Sequence, residues 1–133
     1  MQKAVVTVST ANFMELIDIT GSVEAELDKS GMTEGLCLLF NPHTTAGLTI
    51  NEGADPAVRR DIVSALKRMI PFDLSYQHQE GNSPSHVLAS LFGASLTVFV
   101  ENGRLRLGTW QRIFFCEFDG PRSRKVYVRF LAG

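Results

Sequence analysis

The sequence predicts an α+β fold: a mixed or antiparallel β-sandwich or barrel-like core, with two or three helices in the middle of the chain. Three observations carry this expectation. Strand-like runs outnumber helical ones; the helical runs are grouped centrally instead of alternating with strands, which argues against a doubly wound sheet; and 133 residues are too few for a (β/α)₈ barrel, which needs roughly 200. The length suits one domain, 1–133, and no repeat, low-complexity tract or Pro/Gly/Ser linker divides it.

Ala4, Val6 and Val8 alternate with Val5, Thr7 and Ser9, the period of a strand with one buried face. Residues 14–19 form a second candidate strand. A short helix follows, with Thr20 as its cap, Val23 and Leu27 on one face and Gly31 as its stop. Strands over 36–40 and 46–51 flank the stretch Asn41-Pro42-His43-Thr44-Thr45. The clearest helix opens at Asp55 as N-cap with Pro56 in the first helical position. It repeats Val58, Ile62, Leu66 and Met69 at helical spacing and ends at Pro71. Another helix opens near Ser83-Pro84 and runs through Val87, Leu88 and Leu91 to Gly93. Asn102-Gly103, between strands 94–101 and 104–107, is a hairpin signal, because both residues tolerate positive φ. Strands 112–118 and 125–131, rich in aromatic and β-branched residues, are separated by Asp119-Gly120-Pro121.

A formal net charge of −1 with no block of like charge argues against nucleic acid and against a membrane surface, both of which call for clustered Lys and Arg. The expected partner is a small molecule. No apolar run approaches bilayer length, and Met1-Gln2-Lys3-Ala4-Val5-Val6 lacks a signal-peptide core, so the expected compartment is the cytoplasm. Cys37 and Cys116 lie inside apolar runs and read as reduced, buried thiols.

The stretch from Asn41 to Glu52 crowds an imidazole, hydroxyls, an amide and a carboxylate between two apolar runs, more chemistry than a strand connection needs. The three histidines, His43, His78 and His86, all fall in loops or at a helix start. Three imidazoles with an open position suit a catalytic zinc site, although their spacing matches no compact motif and separately hydrogen-bonded histidines remain the plain alternative. The first turn of the third helix would also offer free amides to a phosphate. Glu52 could serve as a general base or as a ligand to a hard cation, whereas capping before Pro56 already accounts for Asp55. Arg122 and Arg124, in an Arg-x-Arg on an extended segment, point to one side and form a fork suited to phosphate; a solvated charged hairpin is the alternative. Trp110 reads as a sheet anchor in preference to a stacking platform.

Taken together, His43-Thr44-Thr45-Ala46, Ile50-Asn51-Glu52 with Asp55-Pro56, Tyr76-Gln77-His78, Gly81-Asn82 leading to His86, Gly103-Arg104-Leu105 with Leu107-Gly108-Thr109-Trp110-Gln111, and Glu117-Phe118-Asp119-Gly120-Pro121-Arg122 resemble the YjbQ family, described as secondary thiamine-phosphate synthases. The likeness covers nearly the whole chain; Ser85 stands where the pattern has Ala, and Phe99 where Pro is frequent. The resemblance implies a mixed β fold assembled as a homotrimer. It also implies a divalent metal, zinc first with magnesium alongside a diphosphate, on residues matching His43, His78 and His86. The implied reaction condenses hydroxymethylpyrimidine diphosphate with thiazole phosphate to give thiamine phosphate and pyrophosphate. In that reaction Arg122 and Arg124 would receive phosphate oxygens, Glu52 or Asp119 would orient or deprotonate the pyrimidine amine, and Asn51, Asn82 and Gln111 would line the substrate pocket. Two other functions use the same residues: a module that binds a metal or phosphorylated metabolite, and metal-assisted hydrolysis of phosphate esters.

Overall fold

Side-chain alternation sorts the strands into two antiparallel sheets. The computed structural model describes residues 2–133. It contains β1 (Gln2–Ser9), β2 (Glu15–Asp18), α1 (Thr20–Ser30), β3 (Gly35–Phe40), β4 (Ala46–Glu52), α2 (Pro56–Met69), α3 (Ser83–Phe92), β5 (Ser95–Glu101), β6 (Arg104–Leu105), β7 (Gln111–Glu117) and β8 (Ser123–Ala132). A five-stranded sheet has the order β1-β8-β3-β5-β6 and a three-stranded sheet the order β2-β7-β4, with antiparallel pairing throughout the described residues. The expected α+β sandwich is what forms.

One core lies between the sheets. Val6, Val8, Cys37, Leu39, Val98, Val126 and Val128 face Leu48, Ile113 and Phe115, and Val23 and Leu27 of α1 pack into the same cluster. The other face of the smaller sheet carries Leu16, Phe114, Cys116 and the following Phe118, covered by Leu66 of α2 and Leu88 of α3. Strand β7 is therefore buried on both faces, which explains why Ile113-Phe114-Phe115-Cys116 is apolar without alternation. At about 1.5–3 kcal/mol for each large apolar side chain removed from water, these two clusters supply the main favourable contribution to folding.

One helix start departs from expectation. Thr20 does not cap α1: Ile19 holds the cap position, Asp18 Oδ1 accepts the Thr20 N–H at 2.9 Å, and the Thr20 hydroxyl turns inward to accept from Ile113 N. Helix α3 opens at Ser83-Pro84 as expected, with Asn82 before it and no side-chain cap. Asp55 does cap α2, accepting from Ala57 N at 2.9 Å. Asn102 and Gly103 both have positive φ, 53° and 74°, as a tight hairpin requires, although β6 is only two residues long. None of the described helices is long and apolar enough to cross a membrane.

Candidate functional site

Four segments meet at the end of the sandwich where β3 leads into β4 and β7 into β8. Asn41, itself buried, shapes the first segment. Its N–H donates to Ala94 O, its side-chain amide donates to Ala46 O at 2.8 Å, and its Oδ1 accepts from His43 N at 3.0 Å. This local turn fixes the direction of His43. At Gly47 an added Cβ would stand 2.8 Å from Phe92 Cβ, so only glycine lets β4 lie this close to the end of α3. Ser85 Oγ donates to Phe118 O, tying the start of α3 to the β7–β8 corner and placing His86 beside it. Gly120 fits tightly within that corner, where a Cβ would lie 2.3 Å from Asn12 O.

These constraints enclose an open cleft of 460 Å³ lined by Pro42, His43, Thr44, Thr45, His78, Glu80, Asn82, His86, Asp119, Arg122 and Arg124. All three histidines thus reach one cavity, as do Asn82, Asp119, Arg122 and Arg124. The other expected residues do not. Glu52, Asn51 and Gln111 lie at the far ends of β4 and β7, where Glu52 pairs with Gln111, whereas the cleft end of the same ladder is Ala46 opposite Glu117. Six residues of extended chain, at about 3.4 Å each, put them roughly 20 Å from the cleft. Within one chain, Glu52, Asn51 and Gln111 are corrected out of the site, because proximity to His43 in sequence becomes separation along a strand.

Beneath the cleft, Glu117 (0% exposed) and Arg124 (3% exposed) form a buried pair. Arg124 Nε donates to Glu117 Oε1 at 2.9 Å, and Nη2 donates to Glu117 Oε2 and to Thr45 Oγ1. Glu117 also accepts from Asp119 N at 3.0 Å and Thr10 Oγ1 at 2.9 Å. Burial pushes the Glu117 carboxyl up, but the hydrogen bonds from Arg124, Asp119 N and Thr10, together with the Arg124 charge, outweigh it and hold the group below its ordinary value. The expected guanidinium fork is therefore corrected: two Arg124 nitrogens are committed inward, leaving Nη1 for a ligand. Arg122 is half-exposed and donates from Nη2 to Asp119 Oδ2 at 3.1 Å. Asn82 Nδ2 donates to the same oxygen at 3.0 Å, while Asn82 Oδ1 is shielded from solvent without a partner. The amides of α3 offer less to an anion than expected, because Pro84 has none and those of Ser85 and His86 both reach Asn82 O.

The histidines divide two and one. The His78 and His86 rings stand 5.3 Å apart, centre to centre. The two rings meet edge to face at 88°, and because a tetrahedral cation about 2.1 Å from one nitrogen of each would set their centres about 5 Å apart, the spacing leaves room for a shared metal. His43 does not fit as a third ligand in this arrangement, since Lys125 N donates to its Nε2 at 2.9 Å. Burial and the Arg124 charge hold His43 below its ordinary value, so the ring is neutral at pH 7 with its proton on Nδ1. Among the described residues no three His, Cys, Asp or Glu side chains are already grouped as a cation site. Sequence reasoning missed Thr10 and Glu80; Thr10 is an ordinary-looking hydroxyl whose role appears only once the end of β1 lies beside the β7–β8 corner.

Known proteins resemble the whole chain. A family model described as "UPF0047 protein YjbQ-like" matches residues 4–133. The UPF0047 protein YugU of Bacillus subtilis is 50% identical over 125 residues, covering 93% of this chain and 95% of that protein. A UPF0047 protein of Methanocaldococcus jannaschii is 47% identical, covering 88% and 85%. Among solved structures, an uncharacterized conserved protein of the YjbQ/UPF0047 family from Clostridium acetobutylicum superposes with a TM-score of 0.94 at 50% identity, covering 96% of this chain and 99% of that one. A YbjQ-like protein of unknown function from Sulfolobus solfataricus gives 0.94 at 37% identity, covering 99% and 97%.

Proposed function

The chain belongs to the YjbQ-like UPF0047 family, and on that premise we propose that its cleft condenses hydroxymethylpyrimidine diphosphate with thiazole phosphate, as the sequence resemblance implies. One observation carries the reading: cationic groups, a solvent-shielded unpaired acceptor and a histidine pair from four segments line a single open cavity.

In the reaction the C–O bond between the pyrimidine methylene and the diphosphate breaks, and the diphosphate leaves with the electron pair. The thiazole nitrogen supplies the new N–C bond, giving thiamine phosphate and pyrophosphate. Developing negative charge on the leaving group dominates the barrier, and fixed donors against it are worth roughly 2.7–4 kcal/mol each. Arg122 and the free Nη1 of Arg124 supply two such donors, and the Nδ1–H of neutral His43 supplies a third. Asn82 Oδ1 and the Asp119 carboxylate accept from the pyrimidine amine and orient it. A divalent metal, zinc or magnesium, would be held by His78 and His86 and would neutralise diphosphate charge. The assembly is a homotrimer working in the cytoplasm on small phosphorylated metabolites.

Incubating purified protein with both precursors tests this reading. Thiamine phosphate and pyrophosphate that appear only when both are present support it. Release of inorganic phosphate from either one alone would replace synthesis with hydrolysis, and saturable binding without turnover would make the cleft a binding module.

A further inference from the structure

We infer that the groove between α2 and β2, remote from the cleft, binds a small organic anion with an apolar body. The groove has a volume of 430 Å³ and is lined by Met14, Glu15, Leu16, Arg59, Arg60, Val63, Ser64 and Lys67. None of these residues lines the cleft, so the inference stands independently of the function proposed above.

Its walls combine two chemistries. Val63 and the accessible edges of the largely buried Met14 and Leu16 form an apolar floor continuous with the core under α2. Arg59, Arg60 and Lys67 lie on the same helix within about 12 Å of one another along its axis, and among the described residues none has a carboxylate within salt-bridge distance. Glu15 is the only anionic side chain in the lining, and its oxygens are already occupied: Oε2 accepts from Ala11 N at 2.6 Å and Asn12 N at 2.7 Å, and Oε1 from Asn12 Nδ2 at 3.3 Å. Three cations therefore face one carboxylate that caps its own loop.

Arg59 decides the matter. Its guanidinium carbon stands 4.8 Å from the centre of the Phe114 ring, and its Nε is shielded from solvent with no hydrogen-bond partner. That shielded nitrogen is out of a ligand's reach, so an anion in the groove meets the terminal nitrogens of the guanidinium. The Phe114 ring beside it restrains the guanidinium before an anion arrives, so less side-chain freedom is lost on binding. A carboxylate or phosphate at Arg59, with Lys67 or Arg60 nearby, and a ring or short acyl chain laid over Met14, Leu16 and Val63 matches both surfaces. A hydrophilic anion would leave the apolar wall uncovered, and a neutral apolar molecule would leave the cations unmatched.

The probe is 2-naphthoate, titrated into the full chain while NMR follows the Met14 methyl and the Arg59 Nε–H. Saturable shifts at both, with affinity at least about tenfold weaker for Arg59→Gln and for the neutral isostere 2-naphthamide, are expected from the loss of one charge-assisted contact. Lys67→Gln, an exposed change that leaves the Phe114 stack alone, should weaken binding too and guards against misfolding of the Arg59 variant. The inference is overturned if neither signal shifts at millimolar naphthoate, if amide and carboxylate bind alike, or if the shifts fall on the outer face of the larger sheet instead.

Discussion

At the scale of single residues, Glu117 and Arg124 tie stability to pH. Glu117 has its carboxyl held below the ordinary 4.5 in the folded chain, so the unfolded chain binds the proton first as pH falls. The stabilisation is complete above pH 4.5 and is lost as pH drops through the folded value; chemical denaturation midpoints should therefore be flat near neutrality and fall in acid. Glu117→Gln should remove that acid dependence and cost roughly 3–5 kcal/mol, because a guanidinium with little exposure loses its counter-charge. A retained acid slope in the variant would assign the dependence to other carboxylates. The histidines separate on the same scale. Since His78 and His86 face each other while His43 is engaged by Lys125 N, His86→Ala should lower both metal content and turnover by at least about tenfold. His43→Ala should lower turnover with metal content unchanged. Elemental analysis showing equal metal loss in both variants would return His43 to the ligand set.

At the scale of elements, α2 stands on its own cap. Asp55 accepts from Ala57 N and Pro56 takes the first helical position, so Asp55→Ala should cost about 1 kcal/mol, visible in thermal unfolding, and leave turnover unaltered. A lowered kcat would mean that Asp55 does more than cap. Elements were also what the sequence disclosed best. Alternation in β1, the Asp55-Pro56 start and the Asn102-Gly103 turn are local signals, and each survives into the fold. Cleft membership was legible by residue type but not by position. Nothing in the spacing of His43, His78 and His86 says that they meet, because their meeting depends on α3 packing against β4 at Gly47 and on Ser85 tying α3 to the β7–β8 corner. The β4–β7 register removes Glu52, since a motif continuous in sequence runs along β4 and away from the cleft. Glu117 itself carried a readable signal: a carboxylate ending the apolar run Ile113-Phe114-Phe115-Cys116 needs a buried cation, and Arg124 in the next strand is the one that reaches it. Ser85 shows the opposite limit. It stands where the family pattern has Ala, and only the fold reveals that its hydroxyl ties α3 to the Phe118 carbonyl.

At the scale of the whole molecule, the outer face of the five-stranded sheet is the surface to explain. Val5, Tyr127 and Phe40 align across β1, β8 and β3, and Leu131, Leu36 and Phe99 align across β8, β3 and β5. Phe40 is 51% and Phe99 62% exposed in the single chain. Two apolar rows of this kind, separated by a row of Lys3, Arg129, Leu38 and Thr97, mark an association surface more readily than scattered apolar side chains do. The homotrimer proposed above would cover it. Phe40 and Phe99 already hide part of their surface within one chain, so covering the rest contributes roughly 1.7–3.4 kcal/mol per subunit for the two together, and removing them should weaken association at least about tenfold. Light scattering of the wild-type chain should give three times the monomer mass. The double change Phe40→Asp with Phe99→Asp should give the monomer mass with the far-UV spectrum kept, because both side chains already face solvent within one chain. A wild-type monomer, or a double variant that stays trimeric, would remove this face from the assembly.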